Sequence, residues 1–283
     1  MKRALNFVAA VMAAAGFTAA PALAGEKITI QGSDTLLEMV TAEAAAFMKA
    51  NPAVSIQVTG GGSGTGVAAI INGSVDVANS SRPMKEKEKK MIEAKGGEVF
   101  EVAIALDGIS IYMNKKNPVA NLTMAQLAGI FSGKINNWKE VGGADHQIIR
   151  YSRENNSGTY AFFKEHVLDK LDYAPDCQNM PGTASVVNAV SKDPYGIGYG
   201  GISYSEGVNM AKIDGVAPGM ETIIAGSYPV SRKLFQYTVG KPKGAAKAFI
   251  AYELSKEGQA HAKKAGYIPL PEALRTASLK SLD

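Results

Sequence analysis

The sequence predicts an α/β protein built as two lobes, each with a central, mainly parallel sheet flanked by helices. Three observations carry that prediction. Apolar alternation and helical periodicity follow one another as strand, helix, strand, helix, strand over residues 27–79, a succession that builds helix-covered parallel sheets. A second unit of the same kind begins near Asp107. The chain is also long enough, at roughly 260 residues after a leader, for two lobes of ordinary size, yet it has no internal repeat, low-complexity tract or free linker. The lobes are therefore expected to be joined by more than one strand.

Element by element, Lys27 to Gln31 alternates as a strand, and Gly32-Ser33-Asp34-Thr35 opens a helix that carries Leu36, Leu37, Val40, Ala44, Phe47 and Met48 to a stop at Asn51-Pro52. Val54 to Val58 is the next strand, followed by a glycine loop from Thr59 to Gly66, a short helix from Val67 to Asn72 and a strand from Val75 to Asn79. Lys85 to Lys95 reads as a helix with a solvated charged face. Two apolar strands, Val99 to Leu106 and Gly108 to Met113, precede a helix from Leu122-Thr123 to Phe131 and a Gly- and Asn-rich loop around the packing anchor Trp138. Gln147 to Tyr151 is a strand. A helix begins at Ser157-Gly158-Thr159 with Phe162, Phe163 and Val167 on one face, and Thr183 to Ser191 forms another. Tyr195 to Tyr199 is a glycine-rich strand, Tyr228 to Arg232 a crossing segment, and the strand ending at Val239 leads into a C-terminal helical stretch.

The ends and the composition place the chain. Lys2 and Arg3, the small apolar run from Ala9 to Ala20 and the Ala22-Leu23-Ala24 pattern read as a signal peptide over residues 1–24, cleaved after Ala24. No cysteine stands near that site to accept lipid, so a free periplasmic protein is expected, and a monomer is the expected state. Setting Lys2 and Arg3 aside leaves a charge of about +2 from the 30 basic and 26 acidic residues, too small for a nucleic-acid surface. Cys177 is the single cysteine and reads as a small buried apolar group. His146, His166 and His261 lack metal-ligand spacing, so neither a metal nor a cofactor is expected.

Three helix starts are suited to an anion, because exposed amides and the positive dipole end converge there. They are Ser33-Asp34-Thr35, the run Gly60 to Gly66 with Ser63 and Thr65, and Ser157-Gly158-Thr159. A glycine loop of this composition is as common on an ordinary surface, but its residues do not close with the Gly-Lys-Ser/Thr of a P-loop, its glycines miss the dinucleotide spacing, and Ser63 lacks the glycine two residues later of a hydrolase elbow. Arg153 stands four residues before Ser157, where a guanidinium can bond an oxyanion in pairs. Alone it would serve a capped helix facing solvent equally well; beside two other anion-ready helix starts the ligand reading gains.

These residues carry a resemblance. Gly32-Ser33-Asp34-Thr35, Gly62-Ser63-Gly64-Thr65-Gly66, Val75-Asp76-Val77-Ala78 with Ser80-Ser81-Arg82, Arg153-x-x-x-Ser157-Gly158-Thr159 and Tyr228-Pro229-Val230-Ser231-Arg232 resemble the phosphate-binding proteins of phosphate-specific ABC importers, the PstS family. The resemblance covers essentially the whole mature chain. It implies the type II periplasmic binding-protein fold, with lobe I over 25–107 and 228–283, lobe II over 108–227, and two crossing strands between them. It also implies inorganic phosphate as ligand, ABC permease subunits as partner, and no enzymatic activity. Thr35, the Leu36 amide, Ser63, Arg153, Ser157, Gly158 and Thr159 would surround the anion, with Ser33 at the same helix start. Better-known members carry an aspartate where Ser81 aligns; Ser81 can accept or donate but brings no repulsive charge. Arg82 is then a second candidate cation, and Asp34 or Glu154 candidate acceptors of the ligand's proton. Another tetrahedral oxyanion, such as sulfate or molybdate, is the alternative ligand, and a secreted phosphoesterase using Ser63 or Ser157 is the alternative class.

Overall fold

The structure is a computed structural model that describes residues 25–283; the leader expected over residues 1–24 lies outside the described residues. Ten strands form one continuous sheet. They are β1 (Lys27–Gly32), β2 (Ser55–Thr59), β3 (Val77–Ser80), β4 (Val99–Met113), β5 (Asn121–Leu122), β6 (Ile149–Arg153), β7 (Gln178–Met180), β8 (Gly196–Gly201), β9 (Asn209–Ile213) and β10 (Ser231–Val239). The path runs β2-β1-β3-β10-β4-β8-β6-β7, with β9 joining β4 to β5.

The two expected strands around Asp107 are one 15-residue strand, β4. Its first part pairs with β10 from Val99 to Gly108, and its last part pairs with β8 from Ile109 to Met113. One strand thus belongs to both lobes and changes partner at Asp107–Gly108. The expectation of mainly parallel sheets holds for the outer strands: β2, β1 and β3 run parallel, as do β7, β6 and β8. The crossing strands β4 and β10 are antiparallel to their neighbours, so the sheet is mixed. The short strands β5, β7 and β9 lie in segments too polar or too short for apolar alternation to reveal.

Helices cover both lobes. In chain order they are α1 (Leu37–Ala50), α2 (Ser63–Ile71), α3 (Glu86–Glu93), α4 (Met124–Phe131), α5 (Gly158–His166), α6 (Gly182–Lys192), α7 (Met220–Ile224), α8 (Gly244–Glu253), α9 (Lys256–Lys264) and α10 (Glu272–Ser281). α1 buries Met39, Val40, Ala44 and Phe47, and the Phe47 ring meets Phe249 of α8 edge-on at 5.5 Å. α5 buries Phe162 and Phe163, with Phe163 stacked on Tyr199 at 4.0 Å. Trp138 is buried and donates its indole N–H to the Tyr195 carbonyl at 2.9 Å, an anchor inside the second lobe. The Cys177 thiol is half-buried, and burial pushes its pKa up to about 11, so it stays an inert thiol.

α2 starts at Ser63, four residues before the apolar run that sequence periodicity detects. The Thr65 hydroxyl donates back to the Gly61 and Gly62 carbonyls at 2.7 Å each, which fixes a first helical turn despite its glycines.

Candidate anion-binding site

Each helix start predicted to face an anion follows a strand that ends at the boundary between the lobes. β1 ends at Gly32, and Ser33 leads into a 3-10 turn, Asp34–Leu36, that runs on into α1. β2 is followed by the glycine loop and α2, and β6 by α5. This is the carboxyl-end position at which open α/β sheets bind ligands.

At that boundary the hydroxyls of Ser33, Thr35, Ser63 and Ser81 from one lobe meet Thr159 from the other, and all five residues are buried. Ser33 donates to the Ser81 hydroxyl at 2.9 Å, the Ser81 amide donates to the Ser63 oxygen at 3.1 Å, and the Ser63 and Ser81 hydroxyls lie 3.3 Å apart. Thr35 and Thr159 hydroxyls pair across the lobes at 2.9 Å. Gly158 permits the approach: a Cβ there would collide with the Ser63 hydroxyl and stand 2.7 Å from that of Ser81.

The expected residues are not all used as expected. The Ser157 hydroxyl accepts the Tyr160 amide at 3.2 Å as the N-cap of α5, and the Leu36 amide donates to the Ser33 carbonyl at 3.1 Å within the 3-10 turn. Arg82 does not join the cluster. Its guanidinium forms a paired bridge to Glu88 at 2.8 and 2.9 Å and a bond to the Pro83 carbonyl at 2.8 Å, because Glu88 sits in the first turn of the adjacent α3 and also accepts the Lys85 amide. Burial would raise the Glu88 pKa, but the Arg82 guanidinium outweighs it and holds the carboxyl below its ordinary value.

Arg153 is buried beside the cluster with donors in three directions: to Asp34 at 2.8 Å, to Glu154 at 2.9 Å and to the Thr183 hydroxyl at 2.7 Å. Asp34 in turn accepts the Gly61 amide at 2.9 Å. For Glu154, burial works to raise the pKa, and Arg153 with the Gly182 amide more than reverses it. The two acids named as proton acceptors therefore orient Arg153 and the loop.

Sequence reasoning missed the second cation. Arg232, at the start of β10, donates through Nε and Nη2 to Asp107 of β4 at 2.9 and 2.7 Å, to the Ser81 carbonyl at 3.0 Å and to the Thr159 hydroxyl at 3.0 Å. Arg232 and Asp107 are register partners on the two crossing strands. Burial lowers the Arg232 pKa, with Asp107 opposing the shift. The usable signal is an acid inside the mainly apolar run from Val102 to Met113 and a base at the end of the crossing segment Tyr228 to Arg232. Tyr267 and Tyr204 brace the first helix start from behind, donating to the carbonyls of Thr35 at 2.7 Å and Asp34 at 2.8 Å. Among the described residues no group of three or more His, Cys, Asp or Glu could hold a metal ion, and no helix is long and apolar enough to cross a membrane.

Two lobes on shared crossing strands, with buried donors from both converging where they meet, fit a ligand-binding protein; the PBP superfamily domain model matches residues 18–257. Relatives narrow the class. The chain is 36% identical over 313 residues to the phosphate-binding protein PstS of Pseudomonas aeruginosa, with 99% of this chain and 97% of that protein covered. It is 35% identical to the PstS of Bacillus subtilis, covering 88% of this chain and 82% of the other. A solved Clostridium perfringens structure, described as a candidate phosphate ABC transporter substrate-binding protein with bound phosphate, superposes with a TM-score of 0.81 at 35% identity, covering 87% of this chain and 100% of that one. An ABC-type phosphate transport receptor from Vibrio cholerae follows with a TM-score of 0.72 at 28% identity, covering 86% and 100%. The chain belongs to the PstS family of phosphate-binding proteins.

Proposed function

We propose that this protein captures inorganic phosphate between its lobes in the periplasm and passes it, as a monomer, to the permease subunits of an ABC importer. The observation that carries the reading is the buried convergence of five hydroxyls and two arginines contributed by both lobes. A dehydrated tetrahedral oxyanion needs donors from several directions, and hydroxyls, amides at helix starts and guanidinium groups supply them. In this reading Ser33, Thr35, Ser63, Ser81, Gly158 and Thr159 surround the anion while Arg153 and Arg232 flank it. Lobe I comprises 25–107 with 228–283, lobe II comprises 108–227, and closure bends the chain at Asp107–Gly108 and Tyr228–Arg232.

The charges sharpen the reading. Arg153 already faces Asp34 and Glu154, and Arg232 faces Asp107. The site therefore offers oriented dipoles rather than surplus positive charge. Each charge-assisted hydrogen bond contributes about 1.5–3 kcal/mol, so a shell of several reaches the roughly 8 kcal/mol of micromolar binding. Such affinity should depend weakly on ionic strength, since buried pairs are poorly screened.

Titration calorimetry of the mature protein tests the function. Phosphate should bind with micromolar or tighter affinity, and equimolar sulfate should leave that binding in place. Absence of heat with phosphate overturns the reading, and displacement by sulfate replaces phosphate with the broader oxyanion class.

A further inference from the structure

The glycine loop of one lobe and Asn156 of the other make a contact that includes no part of the hydroxyl cluster. The Asn156 side-chain amide donates to the Gly61 carbonyl at 2.9 Å, and the Gly64 amide donates to the Asn156 carbonyl at 2.8 Å. Side chain and main chain of one residue thus hold both ends of a short loop across the lobe boundary. The fit is close: a Cβ on Gly62 would stand 2.7 Å from the Asn156 carbonyl oxygen, nearer than a side chain can come, and one on Gly64 would stand 3.1 Å from it, so that Asn156 would have to give way. Gly62 is also at φ +88°, whereas Gly64 lies in the first turn of α2. The contact adjoins a second one, since Asp34 accepts from both Gly61 and Arg153.

We propose that Asn156 and the Gly61–Gly64 loop form an interlobe latch that sets how long the protein stays closed, and that Gly62 and Gly64 are required by the approach of Asn156 rather than by the anion. The proposal rests on the interlobe phosphate site argued above. A bond that exists only when the lobes meet favours the closed state whatever lies between them, and apparent affinity scales with the fraction of molecules in the competent state. Breaking such a bond acts mainly on release, because association is governed by diffusion and docking. Asn156 is exposed and touches none of the cluster hydroxyls in the hydrogen-bond network, so it is a positioning residue.

Two variants of the mature chain test the latch, with stopped-flow release of inorganic phosphate as the readout. Asn156→Ala removes the side-chain bond at an exposed position. Gly64→Ala places a methyl against the Asn156 carbonyl while favouring the helix, because alanine exceeds glycine in helix propensity. Both should release phosphate about 3- to 10-fold faster with association rates within about twofold of wild type, and the ligand-free melting temperature should be unchanged for Asn156→Ala and unchanged or raised for Gly64→Ala. A wild-type release rate in either variant overturns the latch. Failure of the wild-type protein itself to bind phosphate overturns the functional reading instead.

Discussion

Two buried acidic regions of the molecule are treated in opposite ways. Asp107, at the lobe boundary, is fully enclosed and faces Arg232, its register partner across two strands. Glu43 of α1 and Glu253 of α8 are equally enclosed within lobe I but face each other. Gln236 donates to Glu253 at 3.1 Å and to Asn79 at 3.2 Å, and among the described residues neither Glu43 oxygen meets a hydrogen-bond donor. Burial raises both glutamate pKa values, and the neighbouring Glu43 charge adds to the shift at Glu253. Topology sets a cation against one buried carboxyl, while burial without a cation raises the pKa of the other two. In the proposed site the first arrangement orients a guanidinium toward the ligand; the second brings α1 and α8 together beside Gln236 of β10.

The strongest attempt to break this contrast removes the cation. Arg232→Met leaves the buried Asp107 carboxyl without its partner, and should lower stability by about 3–5 kcal/mol in urea unfolding while abolishing phosphate binding. Adding Asp107→Leu should restore most of the stability and none of the binding. If Arg232→Met alone keeps both, the pair has no such role. Arg153 is the intermediate case, one cation between two acids. Arg153→Ala should weaken phosphate binding about 10- to 100-fold by calorimetry, the equivalent of one charge-assisted bond.

The glutamate pair predicts a pH dependence of definite sign. A carboxyl whose pKa is raised on folding binds more protons in the native state than in the unfolded one, so the stability it provides is present at low pH and lost as pH rises. Stability should therefore fall between the ordinary glutamate range and about 8, the value to which burial raises Glu43. Glu43→Gln should flatten that slope and raise the melting temperature at pH 8 by a few degrees, about 2–4 °C for each kcal/mol recovered. An unchanged slope in thermal melts at stepped pH would show that the pair is not its source. The smallest effect on binding is expected at Arg82, whose charge is already committed to Glu88. Arg82→Ala should leave phosphate affinity within about twofold of wild type, since no bond of that guanidinium points to the hydroxyl cluster.

The sequence revealed what is local in the chain. Arg153, Ser157, Gly158 and Thr159 lie within one strand-to-helix turn, so their spacing alone places a guanidinium and a helix start together. The same holds for Ser33 and Thr35. What it concealed depends on partners far away. Asp107 and Arg232 are 125 residues apart, and only the antiparallel register of β4 and β10 joins them. Arg82 stands beside Ser81 in the chain, which points to the site, while Glu88, six residues later, holds the side chain. Asp107 and Gly108 read as a break because both residue types are depleted in strands, whereas in the fold Asp107 is paired with Arg232 inside one continuous β4. Glu43 lies on an otherwise amphipathic helix, and nothing nearby in the chain shows that its face is covered by Glu253.

The continuity of β4 also bears on how such a molecule could be built and rebuilt. The chain leaves the first lobe and returns to it at neighbouring points, with the Ile109 amide donating to the Val230 carbonyl at 2.9 Å. The whole intervening segment is thus an insert at the tip of what would otherwise be a plain antiparallel hairpin, and a two-residue turn of the kind that closes such hairpins could rejoin the cut ends. Exchange of that cassette between homologues needs only one paired junction, so in the proposed arrangement one side of the cleft could be replaced while the other keeps its native connections.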